Sequence, residues 1–120
     1  PFDKAISRYY WSTREQEKRP EIDQFLDNVS KKMLSNWHIY TIRNRIAVDH
    51  VGLYERLEEE LFMIQKKLGL PKPLCLPRAK GGYRQDRSHY SRILNKRARC
   101  RIEKVCRNEL ELFNYSWQEV

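Results

Sequence analysis

What this chain of 120 residues lacks narrows its class before any motif is read. It contains no run of about 18 apolar residues, the length that a bilayer-crossing helix requires. Its three cysteines, Cys75, Cys100 and Cys106, are odd in number and include no close ligand pair. Cys100 and Cys106 stand six apart, which on a helix places them on different faces. His38, His50 and His89 are scattered, and neither CxxC nor HxxxH spacing occurs. Zinc is therefore not indicated, and the cysteines read as structural or free thiols. No G-x-x-x-x-G-K-[ST] phosphate loop is present, nor any internal repeat or low-complexity tract. No charged-then-apolar leader opens the chain, and its compartment is left open.

What is present makes one domain, 1–120. At 40% hydrophobic and 33% charged residues the chain is too apolar to be disordered, and it is long enough to bury a core. The net charge of +8 is unevenly placed. Residues 1–77 hold 13 Lys/Arg against 11 Asp/Glu, residues 78–107 hold 11 against 2, and residues 108–120 hold none against 3. A field so concentrated favours a polyanionic partner such as nucleotide phosphates, nucleic acid, a sulfated glycan or anionic lipid. A solvated helix face is the plain alternative.

Periodicity predicts four helical stretches. Pro1 suits a first turn, and Phe2, Ala5, Ile6, Tyr9 and Tyr10 recur at helical spacing. Pro20 starts a second helix with Ile22, Phe25, Leu26, Val29 and Met33 on one face. Tyr54, Leu57, Leu61, Ile64 and Leu68 mark a third, ended by Gly69. Pro71, Pro73 and Pro77 then enforce an extended connector. The fourth runs from about Asn95, its N-cap, to Phe113, with Ala98, Ile102, Val105 and Leu110 inward. Between helices, Ile46 through Tyr54 is rich in branched residues and reads as a strand, with His38–Ile42 as a second. Apolar strands feeding helices belong to parallel sheets covered on both faces, so an α/β class follows, with part of the sheet expected elsewhere.

Pro1 to Trp11, Pro-Phe-Asp-Lys-Ala-Ile-Ser-Arg-Tyr-Tyr-Trp, resembles the back half of a phosphate-binding motif of sulfotransferases that use 3′-phosphoadenosine-5′-phosphosulfate (PAPS). There an arginine, a spacer and a proline precede a short helix that carries a serine six positions after the proline, with aromatics just beyond. Pro1, Ser7, Tyr9 and Tyr10 fit, and the arginine would lie just upstream of residue 1. Trp37–Ile42 followed by Ala47–Leu57 looks like the family's strand-to-helix passage around Tyr-Glu, here Tyr54-Glu55. Leu68-Gly69-Leu70-Pro71 is similar to the end of the next helix. Pro77-Arg78-Ala79-Lys80-Gly81-Gly82-Tyr83-Arg84 resembles the basic loop that closes over the nucleotide. Tyr90–Leu94 and Glu109–Tyr115 resemble the C-terminal signature. Leu53 departs from the arginine that often precedes Tyr-Glu. Asn114 replaces a turn glycine but tolerates the left-handed conformation. The carbohydrate-type and bacterial enzymes are the nearest group.

The resemblance implies the C-terminal part of a P-loop-NTPase-like sulfotransferase fold, mostly helical with one or two parallel strands at about 38–42 and 46–54. It implies PAPS as donor, no metal, and a hydroxyl acceptor, a glycan first. The compartment would be the cytoplasm in a bacterial member and the Golgi lumen in a eukaryotic one. Ser7, Lys80, Gly81, Gly82 and Arg84 would contact the 3′-phosphate and Tyr54 the adenine edge. A phosphate near two negative charges needs charge-assisted donors. The 5′-phosphosulfate loop and the usual base lie before residue 1 in this family, so no catalytic residue is named. His38, His50 and His89 are bases on chemistry alone. The chain by itself is expected to be inactive and to self-associate through an exposed strand edge.

Two other classes compete. A helical nucleic-acid-binding module would use Arg97, Arg99, Arg101, Lys104 and Arg107 on a phosphate backbone, although no helix-turn-helix, zinc or RNP motif accompanies them. An interaction domain would present the stripe from Tyr54 to Leu68 to a partner helix.

Overall fold

The computed structural model describes residues 1–77 and 82–120. Its elements in chain order are α1 (Phe2–Ser12), α2 (Ile22–Asn28), α3 (Lys31–Leu34), α4 (Trp37–Tyr40), β1 (Thr41–Ile42), β2 (Arg45–Ile46), α5 (Leu57–Leu68), α6 (Tyr90–Ile93), α7 (Lys96–Val105) and α8 (Arg107–Leu112). A 3-10 turn, Tyr54–Arg56, leads into α5. The fold is mostly helical with one small two-stranded sheet, and no helix among the described residues is long and apolar enough to cross a membrane.

The core forms where α1, α2, α3 and α7 meet. Phe2, Ala5, Ile6, Leu26, Leu34, Leu94, Ala98, Ile102 and Cys106 are buried together. Burying each large aliphatic side chain is worth about 1.5–3 kcal/mol. Ala5 and Ala98, both at most 1% exposed, let α1 and α7 lie close. Phe2 closes one end by stacking on Tyr90 at 5.0 Å and meeting Trp117 edge-on at 5.1 Å.

Polar side chains fix the helix ends. Asn95 accepts a hydrogen bond from the Ala98 N–H at 2.9 Å, the N-cap expected from the sequence. Gly69 ends α5 with φ +64°, the left-handed C-cap conformation glycine adopts freely. Arg101 donates to the carbonyls of Leu26 (3.1 Å) and Val29 (3.3 Å), satisfying the end of α2 from α7. The helix expected across Ile22–Met33 breaks here: Val29 and Ser30 are extended, and Met33 is 47% exposed. The fourth stretch is likewise split at Cys106, whose φ of −98° and ψ of 18° separate α7 from α8. The buried Cys106 thiol points at the Leu34 carbonyl, 3.6 Å away.

The expected parallel strands are corrected. His38–Tyr40 belongs to α4, and β1 pairs with β2 antiparallel in the register Thr41↔Ile46 and Ile42↔Arg45. That register leaves a two-residue loop, and both of its residues have positive φ, Arg43 at 51° and Asn44 at 63°. Positive φ at both positions matches the right-handed twist of paired strands, so a tight hairpin closes locally. Beyond Ile46 the segment expected as strand to Tyr54 forms no ladder among the described residues. The Ala47 N–H still donates to the Tyr40 carbonyl at 2.9 Å, and past it no described strand lies alongside to pair with the segment.

Residues 41–77 add no apolar side chain to the buried core. They form an arm outside that core, and the molecule has extents of 48 × 32 × 28 Å and a radius of gyration of 16.1 Å. A compact chain of this length would have about 14 Å. Two polar contacts organise the arm. His50 Nε2 bonds the carboxylate of Glu60, which is buried against Gly52. Tyr115 donates to Glu55 at 2.6 Å, tying the entry of α5 to the C-terminal tail.

Candidate functional site

Helical geometry puts Asp3, Ser7 and Trp11 in a row on one face of α1, spaced i, i+4, i+8. The segment from Gly82 to His89 crosses this row. Arg84 Nη1 donates to Asp3 Oδ1 at 3.0 Å, while Nε and Nη2 donate to the carbonyls of Asp86 and Ser88, both at 2.8 Å. One turn beyond Ser7, the Tyr83 ring meets Trp11 edge-on at 4.8 Å. Arg14 stacks on Trp11, 3.7 Å from the ring centroid. The loop is thus clasped to α1 on either side of Ser7. Ser7 itself is exposed, and its hydroxyl has no hydrogen-bond partner among the described residues.

Electrostatics around this row are cationic. Arg8 follows Ser7 and enters no ion pair among the described residues. Lys4 donates to Asn36 at 2.7 Å. Burial holds its ammonium below the ordinary lysine range, with Glu109 acting in the opposite direction and Arg8 adding a small repulsion. Asp86 is held below the usual carboxylate range by hydrogen bonds from Ser88, so the turn carrying Arg84 keeps its charge.

The residues expected from the sequence fare unequally. Arg84 is held on the α1 face that carries Ser7, through Asp3 one turn away. Lys80 and Gly81, with Arg78 and Ala79, lie outside the described residues. Gly82 is exposed and a Cβ added there would meet nothing within 4 Å, so the fold itself does not demand glycine at 82. Tyr54 is 83% exposed, and its side chain makes no hydrogen bond or ring contact with another described residue. Two clefts, one lined by Pro20, Phe25 and Val29 and the other by Arg99, Cys100 and Trp117, do not include Ser7 or Arg84.

Among the histidines, His89 is the N-cap of α6 and accepts from the Ser91 N–H, and His38 is exposed. His50 is held by Glu60 as described. No group of three His, Cys, Asp or Glu side chains among the described residues is arranged to hold a metal. The cysteines are free thiols: Cys75 and Cys100 are exposed, and Cys106 is buried. The sequence reading missed Trp11 and Asp3, which anchor the crossing loop. Their i±4 spacing from Ser7 was the available signal.

The guanidiniums of α7 and α8 lie beside protein groups while staying partly in solvent. Arg97 pairs with Asp27 and lies 3.8 Å from Asp23. Arg99 pairs with Glu103 at 2.8 Å, and Arg101 caps α2. Arg107 pairs with Glu111 at 3.2 Å.

No known family model matches the chain, and no solved structure matches it. A curated protein of Archaeoglobus fulgidus, described as an uncharacterized protein, is 33% identical over 78 residues. The match covers 62% of this chain and 65% of that relative.

Proposed function

We propose that this chain is the C-terminal part of a PAPS-dependent sulfotransferase acting on a hydroxyl acceptor, a carbohydrate first, and that the exposed row on α1 receives the donor's 3′-phosphate. The observation that carries this reading is the clasp of Tyr83 and Arg84 over α1, which leaves the Ser7 hydroxyl free between its two anchor points. The residues fit the ligand chemically. Ser7 offers a hydrogen-bond donor, and Arg8 is an uncommitted cation beside it. Arg84 spends three of its five N–H groups on Asp3, Asp86 and Ser88, so it positions the loop, and its two remaining N–H groups stay donors for the phosphate on the family resemblance. Lys80, Gly81 and Gly82 remain donors on the family resemblance, and Tyr54 remains the adenine contact on the same ground. PAPS supplies the transferred sulfuryl group, and the in-line step is not assigned to any residue of this chain.

Arg101 is bonded to the Leu26 and Val29 carbonyls, and Arg97, Arg99 and Arg107 each lie beside a carboxylate, which lowers the positive field a phosphate backbone would meet and favours this reading over a nucleic-acid module. Calorimetric titration of 3′,5′-adenosine bisphosphate into the protein carrying this chain is the test. Ser7→Ala should weaken binding by about 1–3 kcal/mol, the cost of a hydrogen bond to a charged group. Unchanged affinity would remove Ser7 from the site. Tight, salt-sensitive retention of duplex DNA or RNA in a filter assay would favour the rival.

A further inference from the structure

The outward face of α5 has a pattern that its own fold does not use. Its inner side carries Leu57, Glu60, Leu61 and Ile64, all wholly or partly buried. Its outer side carries two rows at i, i+4, i+8 spacing: Glu58–Phe62–Lys66 and Glu59–Met63–Lys67. All six are exposed, Phe62 by 55% and Met63 by 41%. Acidic residues in the first turn and basic ones in the last also suit the helix dipole, which accounts for the charges at the two ends. It does not account for two large apolar side chains left in water between them.

The order of these residues is self-complementary when reversed. If a second α5 lies antiparallel on the first, Glu58 and Glu59 of each copy face Lys66 and Lys67 of the other. Phe62 and Met63 of both copies then meet at the two-fold axis, and the helix dipoles oppose. A parallel arrangement would set like charges together. We propose that this face is the contact surface for a second copy of the chain, paired antiparallel about an axis at Phe62 and Met63. Arg56 pairs with Glu59 at 3.0 Å and Lys66 lies 4.5 Å from the Phe62 ring within one copy. Both are surface contacts that exchange readily for intermolecular ones. A two-fold contact of this kind is isologous, so each substitution acts twice. A 12-residue helix is about 18 Å long, which places the interface among the small, weak ones. The inference rests on α5 alone and is independent of the sulfotransferase reading.

The experiment is sedimentation velocity of the 120-residue chain from about 10 µM to about 1 mM, with circular dichroism to confirm equal helix content in every variant. The unsubstituted chain should shift toward dimer with concentration. Lys66→Glu with Lys67→Glu, and separately Glu58→Lys with Glu59→Lys, should each lower the association constant about tenfold or more, since like charges then face each other. An equimolar mixture of these two variants should recover dimers containing one of each. Phe62→Gln with Met63→Gln, which keeps all four charges, should also give monomer. A chain that stays monomeric throughout, reversals that leave association unchanged, or a mixture that stays monomeric would each overturn the proposal.

Discussion

Replacing Glu109 by alanine should destabilise this protein by about 2–4 kcal/mol. Its carboxylate is a hub between α8 and the corner joining α3 to α4. One oxygen accepts from the Ser35 hydroxyl and from the Asn36 N–H at 3.1 Å, and the other accepts from the Tyr40 hydroxyl at 2.9 Å. The three donors would not suffer equally. Asn36 is exposed and its N–H can turn to water. Ser35 is 7% exposed and its oxygen already accepts from the Trp37 N–H, so only its proton is orphaned. Tyr40 is half-buried. Hydrogen bonds to charged groups contribute about 1.5–3 kcal/mol each, less where water replaces the partner, so Glu109→Ala should lose about 2–4 kcal/mol in all. Against a typical total of about 5–15 kcal/mol that is large. Urea titration followed by circular dichroism measures the loss, and a double-mutant cycle with Ser35→Ala should return a coupling of about 1–2 kcal/mol. Glu109→Gln keeps one acceptor oxygen and should cost less than the alanine variant. A Glu109→Ala midpoint indistinguishable from the parent, or zero coupling to Ser35, would refute the hub.

Two further outcomes follow from the same packing. Arg101→Ala should destabilise by about 1–3 kcal/mol through the freed Leu26 and Val29 carbonyls, and Arg101→Lys should recover only part of it because a lysine cannot reproduce the fork; equal stability of all three proteins in urea would contradict the cap. The Cys106 contribution to stability should fall on going from pH 9 to pH 11: burial, with Glu109 adding to it, pushes the thiol from 9.0 up to about 11, so over that interval the unfolded chain releases a proton that the folded one retains, while Lys4, held low by burial, acts in the opposite sense below 10.5. Tyr40 and Tyr115, raised first by burial and then by their bonds to Glu109 and Glu55, extend the loss to higher pH. A pH dependence of the urea midpoint between 8.5 and 10.5 that Cys106→Ala leaves unchanged would count against it.

Local sequence determined the parts of this protein that depend on neighbours along the chain. Pro1 and the apolar spacing to Tyr10 made α1, the Asn95 side chain started α7, and Gly69 stopped α5, because caps and helical faces act within one or two turns. The hairpin was also written locally, in Arg43 and Asn44 between branched residues, but the branched run at 46–54 carried the stronger strand signal. Strand propensity there is a demand for a partner, and only the assembled chain reveals whether one is supplied. Charge shows the same division. The excess in residues 78–107 was plain in composition, yet its meaning changed once Asp27 and Glu103 were found beside Arg97 and Arg99. The candidate site belongs wholly to tertiary structure. Arg84 reaches the helix that carries Ser7 because Asp3 and Trp11 give a distant loop two anchors on one helix face, and no local rule specifies a contact between residues that far apart in the chain.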